Sequence, residues 1–238
     1  MCCLSSVVVV RNTVLIEGEL CVLQIAQTAA AAGLDHLPRI HASQIAVRVR
    51  NDKAVEAPFA AQHAGQQIVM TKWAGLAGTV RLEKRYREAL LKRYPAQLLD
   101  DVAQLEQHFS ILPEAAVAGK SGVGLSCAVS EGGVFHALWT LAEQAGTGLE
   151  VSLKKIPIRQ ETVEICNELD VNPYELSGNG SLLFVTDQGE MLAEQLQQQK
   201  IPAAVIGFLS ADNDRVIVNG EERRFLEPAN TDAIYRME

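Results

Sequence analysis

An α+β fold, a sandwich in which helices back a mixed β-sheet, is predicted by three observations. From Gly65 onward, short β-branched runs alternate with longer runs at helical spacing. The central stretch Gly124–Ser152 reads as strand, Ser-Glu-Gly-Gly turn, amphipathic helix, glycine-rich exit and second strand. The last forty residues carry short strand-like runs separated by Ala211-Asp212-Asn213-Asp214 and Asn219-Gly220, the pattern of a meander. Helices are expected on one face of this sheet.

The elements follow in order. Val7–Val10 and Val14–Ile16 are β-branched and join as a hairpin through Arg11-Asn12. Gln24–Ala32 is Ala-rich and helical, and Gln44–Arg50 alternates as a half-buried strand. These 60 residues are read as an N-terminal extension, an edge or dimer element, and 61–238 as the domain proper. Gln67–Thr71 is a strand, and Thr79 caps a helix reaching about Tyr94, with Leu82, Tyr86, Ala89 and Arg93 on one face. Pro95 starts a helix with Leu98, Val102, Leu105 and Phe109 in one stripe, and a short helix covers Pro113–Ala118. In the central stretch Val134, Leu138, Leu141 and Ala145 form a buried stripe. Arg159–Leu169 and Gly189–Lys200 are helices, and Ser181–Thr186 is a strand. Ala203–Ser210, Arg215–Val218 and Arg223–Glu227 complete the meander, with Asn-Gly favouring a type I′ turn.

Composition narrows the function classes. The 238 residues are 48% hydrophobic and 21% charged, as in a folded globular chain. A net charge of −8 argues against a nucleic-acid binder, whose phosphate contacts need a basic face. No apolar run is long enough to span a membrane, and no signal peptide is recognisable, so the chain is expected to be cytoplasmic. Cysteines at 2, 3, 21, 127 and 166 fit neither a zinc site nor a Cys-x-x-Cys pair, so reduced thiols and no metal are expected.

Candidate sites come from turns. Gly119-Lys120-Ser121 lacks the earlier glycine and the preceding strand of a P-loop. Gly124–Ala128 lacks the last glycine of a nucleophile elbow, and Cys127 with His136 is not placed as a catalytic pair, so no catalytic residue is assigned. A basic helix from Arg81 to Arg93 reads best as a solvated face with i,i+4 pairs. Two turns remain. Ser130, Glu131, Gly132 and Gly133 open one helix; Gly75, Gly78 and Thr79 open another. Ser130 is the expected N-cap, and bare glycine amides at a helix start are accessible to phosphate. Close packing explains such glycines equally well.

A family resemblance runs through the order of several segments. Ser130-Glu131-Gly132-Gly133 is followed by Ala142–Glu150, Ile156–Glu161, Asn172–Leu176, Gly178–Leu183 and Ala203–Gly207. From about Gly65 to Tyr235 this resembles the C-terminal domain of aminoimidazole ribonucleotide (AIR) synthase-related proteins. It looks closest to the hydrogenase maturation factors that dehydrate a carbamoyl group to a nitrile. The resemblance implies an α/β domain whose Gly-Gly turn faces a cleft closed by an N-terminal ATP-binding domain. Two departures stand out. This chain ends Ile234-Tyr235-Arg236-Met237-Glu238 where the nitrile-forming enzymes end in a reactive cysteine, and Ser130-Glu131 replaces a Thr-Arg pair. The residues before Gly65 are too few for the ATP-binding domain. The expected protein is therefore a stand-alone relative, homodimeric, binding a small phosphate-bearing ligand or a partner. It would hold no cofactor alone, with ATP and Mg entering only through a separate ATP-binding subunit. The alternatives are a subunit completed by that chain into an ATP-dependent enzyme, and a purely structural or regulatory module.

Overall fold

A computed structural model of the chain describes residues 6–10, 13–17, 62–227 and 232–237. Strands β1 (Ser6–Val10) and β2 (Thr13–Glu17) pair antiparallel from Val10↔Thr13 to Ser6↔Glu17, the hairpin expected from the sequence. The helix expected over 24–32, the strand over 44–50 and the domain boundary near 60 lie outside the described residues.

The domain is built on a seven-stranded sheet of order β4-β6-β3-β7-β5-β8-β9. Its strands are β3 (Gln67–Thr71), β4 (Leu125–Val129), β5 (Gly148–Ser152), β6 (Ser181–Thr186), β7 (Ala203–Ser210), β8 (Arg215–Asn219) and β9 (Glu222–Phe225). All neighbours are antiparallel except β5 and β8, so the sheet is mixed. The helices are α1 (Leu76–Leu90), α2 (Ala96–Gln104), α3 (Leu112–Ala118), α4 (Gly133–Ala145), α5 (Gln160–Glu168) and α6 (Gly189–Gln198).

Every residue of β6 is buried, which requires a layer on each side of it. Leu183 and Val185 join Ile68 and Met70 of β3 in a core beneath α4, where Val134, Leu138 and Leu141 pack. Leu182 and Phe184 join Val69 in an opposite core with Leu192 and Leu196 of α6 and Ala118 of α3. Helices therefore lie on both faces, not one as expected. The apolar, uncharged sequence of β6 carried that signal. A third cluster, centred on Leu176, gathers α1, α2 and α5.

Three local expectations are corrected. The terminal meander is interrupted, because β5 is inserted between β7 and β8. The β8–β9 hairpin pairs Asn219 with Glu222, so the central turn residues are Gly220 and Glu221. Only Gly220 has positive φ (67°), the pattern of a II′ turn with glycine first rather than I′. Helix α1 starts three residues before Thr79, and its expected stripe breaks at Tyr86 (φ −114°, ψ 15°). Past that kink Leu90 takes the buried position, while Ala89 and Arg93 are exposed.

Candidate functional site

The two glycine-rich helix starts, separate in sequence, flank one connecting segment, residues 173–178. At α4 the N-cap is Gly132 (φ 78°), followed by Gly133 (φ 67°), and no side chain caps the helix. Ser130 is thus not the N-cap; instead its carbonyl accepts the amides of Gly133 (3.2 Å) and Gly178 (3.3 Å). Two consecutive left-handed residues favour glycine. At Gly133 there is a second demand, because a Cβ there would lie 2.4 Å from the Tyr174 carbonyl oxygen. The same carbonyl accepts the Phe135 amide at 3.1 Å, and the Phe135 and Tyr174 rings stack with centroids 5.3 Å apart.

Helix α1 repeats the arrangement. Gly75 (φ 65°) is its N-cap, and a Cβ on it would meet the Pro173 carbonyl oxygen at 3.2 Å. Gly78 sits under Leu176, a Cβ on it falling 2.3 Å from Leu176 Cγ, and its amide donates to Ser177 O (2.8 Å). Thr79 is one turn inside the helix rather than at its cap. Its hydroxyl donates to Gly75 O (2.7 Å) and lies 3.1 Å from the Thr162 hydroxyl, tying α1 to α5.

What the sequence did not predict is the C-terminal segment. Asp232, only 2% exposed, accepts the Gly132 amide on Oδ2 (3.2 Å) and the Ile234 amide on Oδ1 (3.0 Å). Burial pushes its carboxyl above the ordinary aspartate value, the two amides and the Arg81 charge acting the other way. The Ala233 amide donates to Glu175 O (3.2 Å), and Tyr235 donates its hydroxyl to Glu131 (3.2 Å). Glu131 therefore turns to Tyr235. The amides of Gly132, Gly133 and Phe135 are matched by Asp232, Ser130 and Tyr174. A contact across one hundred residues leaves no local pattern to read.

Beside the α1 start lies a buried ion pair. Lys72, at positive φ (54°), follows β3 and places its Nζ 2.5 Å from Glu114 of α3. The ammonium also donates to Ser110 O (2.6 Å) and Gly180 O (2.9 Å), so its three donors are used. Burial lowers its pKa from 10.5, with Glu114 opposing. Next to it, Trp73 meets the edge of His108 (centroids 5.1 Å apart) and lies under the Arg159 guanidinium (5.1 Å). Arg159 grips Glu161 through both carboxylate oxygens (2.6 and 3.0 Å) and holds it below the ordinary 4.5. A depressed carboxylate stabilises the fold above the unfolded value, a contribution lost as pH falls through the folded value. In an NMR titration Glu161 is expected to titrate below 4.5. Arg159→Gln should return it towards that value.

The remaining candidates have structural roles. Lys84 of α1 pairs with Glu106 just past α2, Arg87 with Glu83 of α1 and Asp100 of α2, and Arg93, past the end of α1, with Glu168 of α5, so much of this basic stretch is engaged by neighbouring carboxylates. Burial pushes the thiols of Cys127 and Cys166 up to about 11 and about 12, which removes thiolate chemistry at neutral pH. Among the described residues no group of three or more His, Cys, Asp or Glu is placed to hold a metal ion. No helix among them is long and apolar enough to cross a membrane.

Fold and turns together define an α/β domain in which two glycine-capped helix starts face one connecting segment. The chain belongs to the family of AIR synthase related proteins, C-terminal domain, whose model matches residues 63–219. It is 33% identical over 125 residues to phosphoribosylformylglycinamidine synthase subunit PurL of Methanothermobacter thermautotrophicus, an alignment covering 49% of this chain and 15% of PurL. It is 29% identical over 92 residues to carbamoyl dehydratase HypE of Azotobacter vinelandii, covering 37% and 27%. Among solved structures, E. coli HypE, a hydrogenase maturation protein, superposes with a TM-score of 0.62 at 16% identity, over 82% of this chain and 57% of that one. HypE in complex with ATP gives 0.55 at 16% identity, over 71% and 52%. The HypE–HypF complex gives 0.57 at 14% identity, over 71% and 54%. The matches thus span under a third of these curated relatives and little more than half of the solved HypE chains. The family resemblance and the mixed-sheet α+β class read from the sequence are both borne out.

Proposed function

We propose that this domain supplies one half of a ligand cleft, at the Ser130–Gly133 helix start, and receives a small phosphate-bearing ligand or a partner there. One observation carries the reading: the chain itself places a carboxylate, Asp232, on the Gly132 amide, within the field of Arg81. An amide at a helix start that already holds one anion suits another. Gly75, Gly78 and Thr79 are the matching start on α1. The chain alone would hold no cofactor and carry out no complete ATP-dependent reaction. Mg-ATP would come with a separate ATP-binding subunit; that a chain of this fold can take a partner is supported by the HypE–HypF complex. A homodimer through the N-terminal extension belongs to the same proposal.

A second reading, a purely structural module, is favoured by the tight packing of Gly78 and Gly133 on residues 174–176. Thermal shift separates the two. A ligand at one hundred times its Kd stabilises the native state by about 2.7 kcal/mol, so phosphate or ATP is expected to raise Tm, and Arg81→Ala to reduce that rise. No shift with either ligand supports the packing-only reading and ends the phosphate-ligand reading.

A further inference from the structure

We infer that β4 is an interaction edge, and that it pairs antiparallel with β4 of a second copy of this chain to join two seven-stranded sheets into one. The sheet has two edges, and they are built differently. At β9 the outer row is Glu222-Arg223-Arg224-Phe225, with Arg223 held by Glu150 at 2.7 Å. Charged side chains on a short strand discourage further pairing. Set against itself about its middle, β9 would also oppose Arg223 to Arg224 of the second copy. In contrast β4, Leu125-Ser126-Cys127-Ala128-Val129, carries no charge and no proline, and its register with β6 is unbroken. Among the described residues only β6 pairs with it, so half of its backbone N–H and C=O groups face outward. A flat, uncharged edge of that kind is a template for another strand.

The side chains of β4 fit a copy of themselves. A two-fold axis through Cys127 sets Leu125 opposite Val129 of the second copy, Ser126 opposite Ala128, and Cys127 opposite Cys127. Leu125, Cys127 and Val129 belong to the core beneath α4, the first two only partly buried. Pairing would run the two cores together and cover what each leaves exposed. On the other face Ser126 and Ala128 are exposed and small, which leaves room for a second strand. No like charges meet anywhere along the paired strands. Each copy would use its one uncharged edge, so assembly closes at a dimer instead of growing into a fibre. The pairing needs neither the ligand nor the N-terminal extension of the function proposed above.

Sedimentation equilibrium of the full chain is expected to show a dimer, and amide exchange across Leu125–Val129 to slow as protein concentration rises. That dependence marks pairing between chains, and it is read on the unaltered protein. The double variant Ser126→Lys with Ala128→Lys sets lysine opposite lysine twice about the same axis. Both positions are exposed, so the subunit should keep its fold, while the dimer Kd should rise about tenfold or more. A monomer at every concentration overturns the pairing. If β4 amides exchange slowly in that monomer, the edge belongs to another segment of the same chain. A dimer whose Kd is unchanged in the double variant also overturns the pairing, and leaves the N-terminal extension as the contact. Fast exchange across β4 within a dimer has the same meaning.

Discussion

Lys72→Met is expected to destabilise the domain by about 3–5 kcal/mol, the cost of leaving a buried charge without its partner. Glu114 is fully buried, and apart from Lys72 its carboxylate has no hydrogen-bond partner among the described residues. Removing the ammonium strands that carboxylate in an apolar setting, and it also frees the carbonyls of Ser110 and Gly180. Those carbonyls hold the loop after α2 and the turn before β6 to the end of β3. Urea denaturation reads the loss directly as a lower midpoint. The double variant Lys72→Met with Glu114→Leu should recover most of it, because replacing both partners by apolar groups removes the uncompensated charge. Equal loss in the single and double variants would mean that the two carbonyl contacts, not the charge pair, carry the stability.

Most of this architecture was legible because its signals are local. Periodicity placed β3, β6, α4 and α6 nearly to the residue, since apolar spacing and glycine or proline ends act within a few positions. Where packing overrides local preference, the reading slipped. Thr79 is a good cap by type, yet Gly75 caps α1, because the chain must approach Pro173 and Leu176 closely. Ser130 is displaced by Gly132 for the same kind of reason. The insertion of β5 between β7 and β8 is a long-range pairing that no window of sequence contains. Of the seven residues named at the candidate site, Gly75, Gly78, Ser130 and Gly133 lie against residues 173–178, whereas Thr79, Glu131 and Gly132 bond to Gly75 and Thr162, to Tyr235 and to Asp232. Leu176, Asp232 and the Lys72–Glu114 pair were missed, since each acts through a partner tens of residues away.

Gly133→Ala is the complementary test, and Gly146→Ala is its control. Both glycines have φ 67°, so each substitution carries the same left-handed cost of about 1–2 kcal/mol. Around Gly146 nothing lies within 4 Å of a new Cβ. At Gly133 that Cβ would sit 2.4 Å from the Tyr174 oxygen and 2.8 Å from the Glu175 carbonyl carbon and the Leu176 oxygen. These are backbone atoms and cannot rotate aside as a side chain would. The segment must move, which breaks the Phe135–Tyr174 bond at a further cost of about 1 kcal/mol and lifts Leu176 from its seat on Gly78. Gly133→Ala is therefore expected to cost about 3–5 kcal/mol in all, within the range for overpacking plus strain. For a chain of this size each kcal/mol lowers Tm by about 2–4 °C, so the two variants should separate clearly in one melt. Equal losses would show that residues 173–176 yield easily, and that the glycine at 133 answers to its φ alone rather than to the segment the two helix starts enclose.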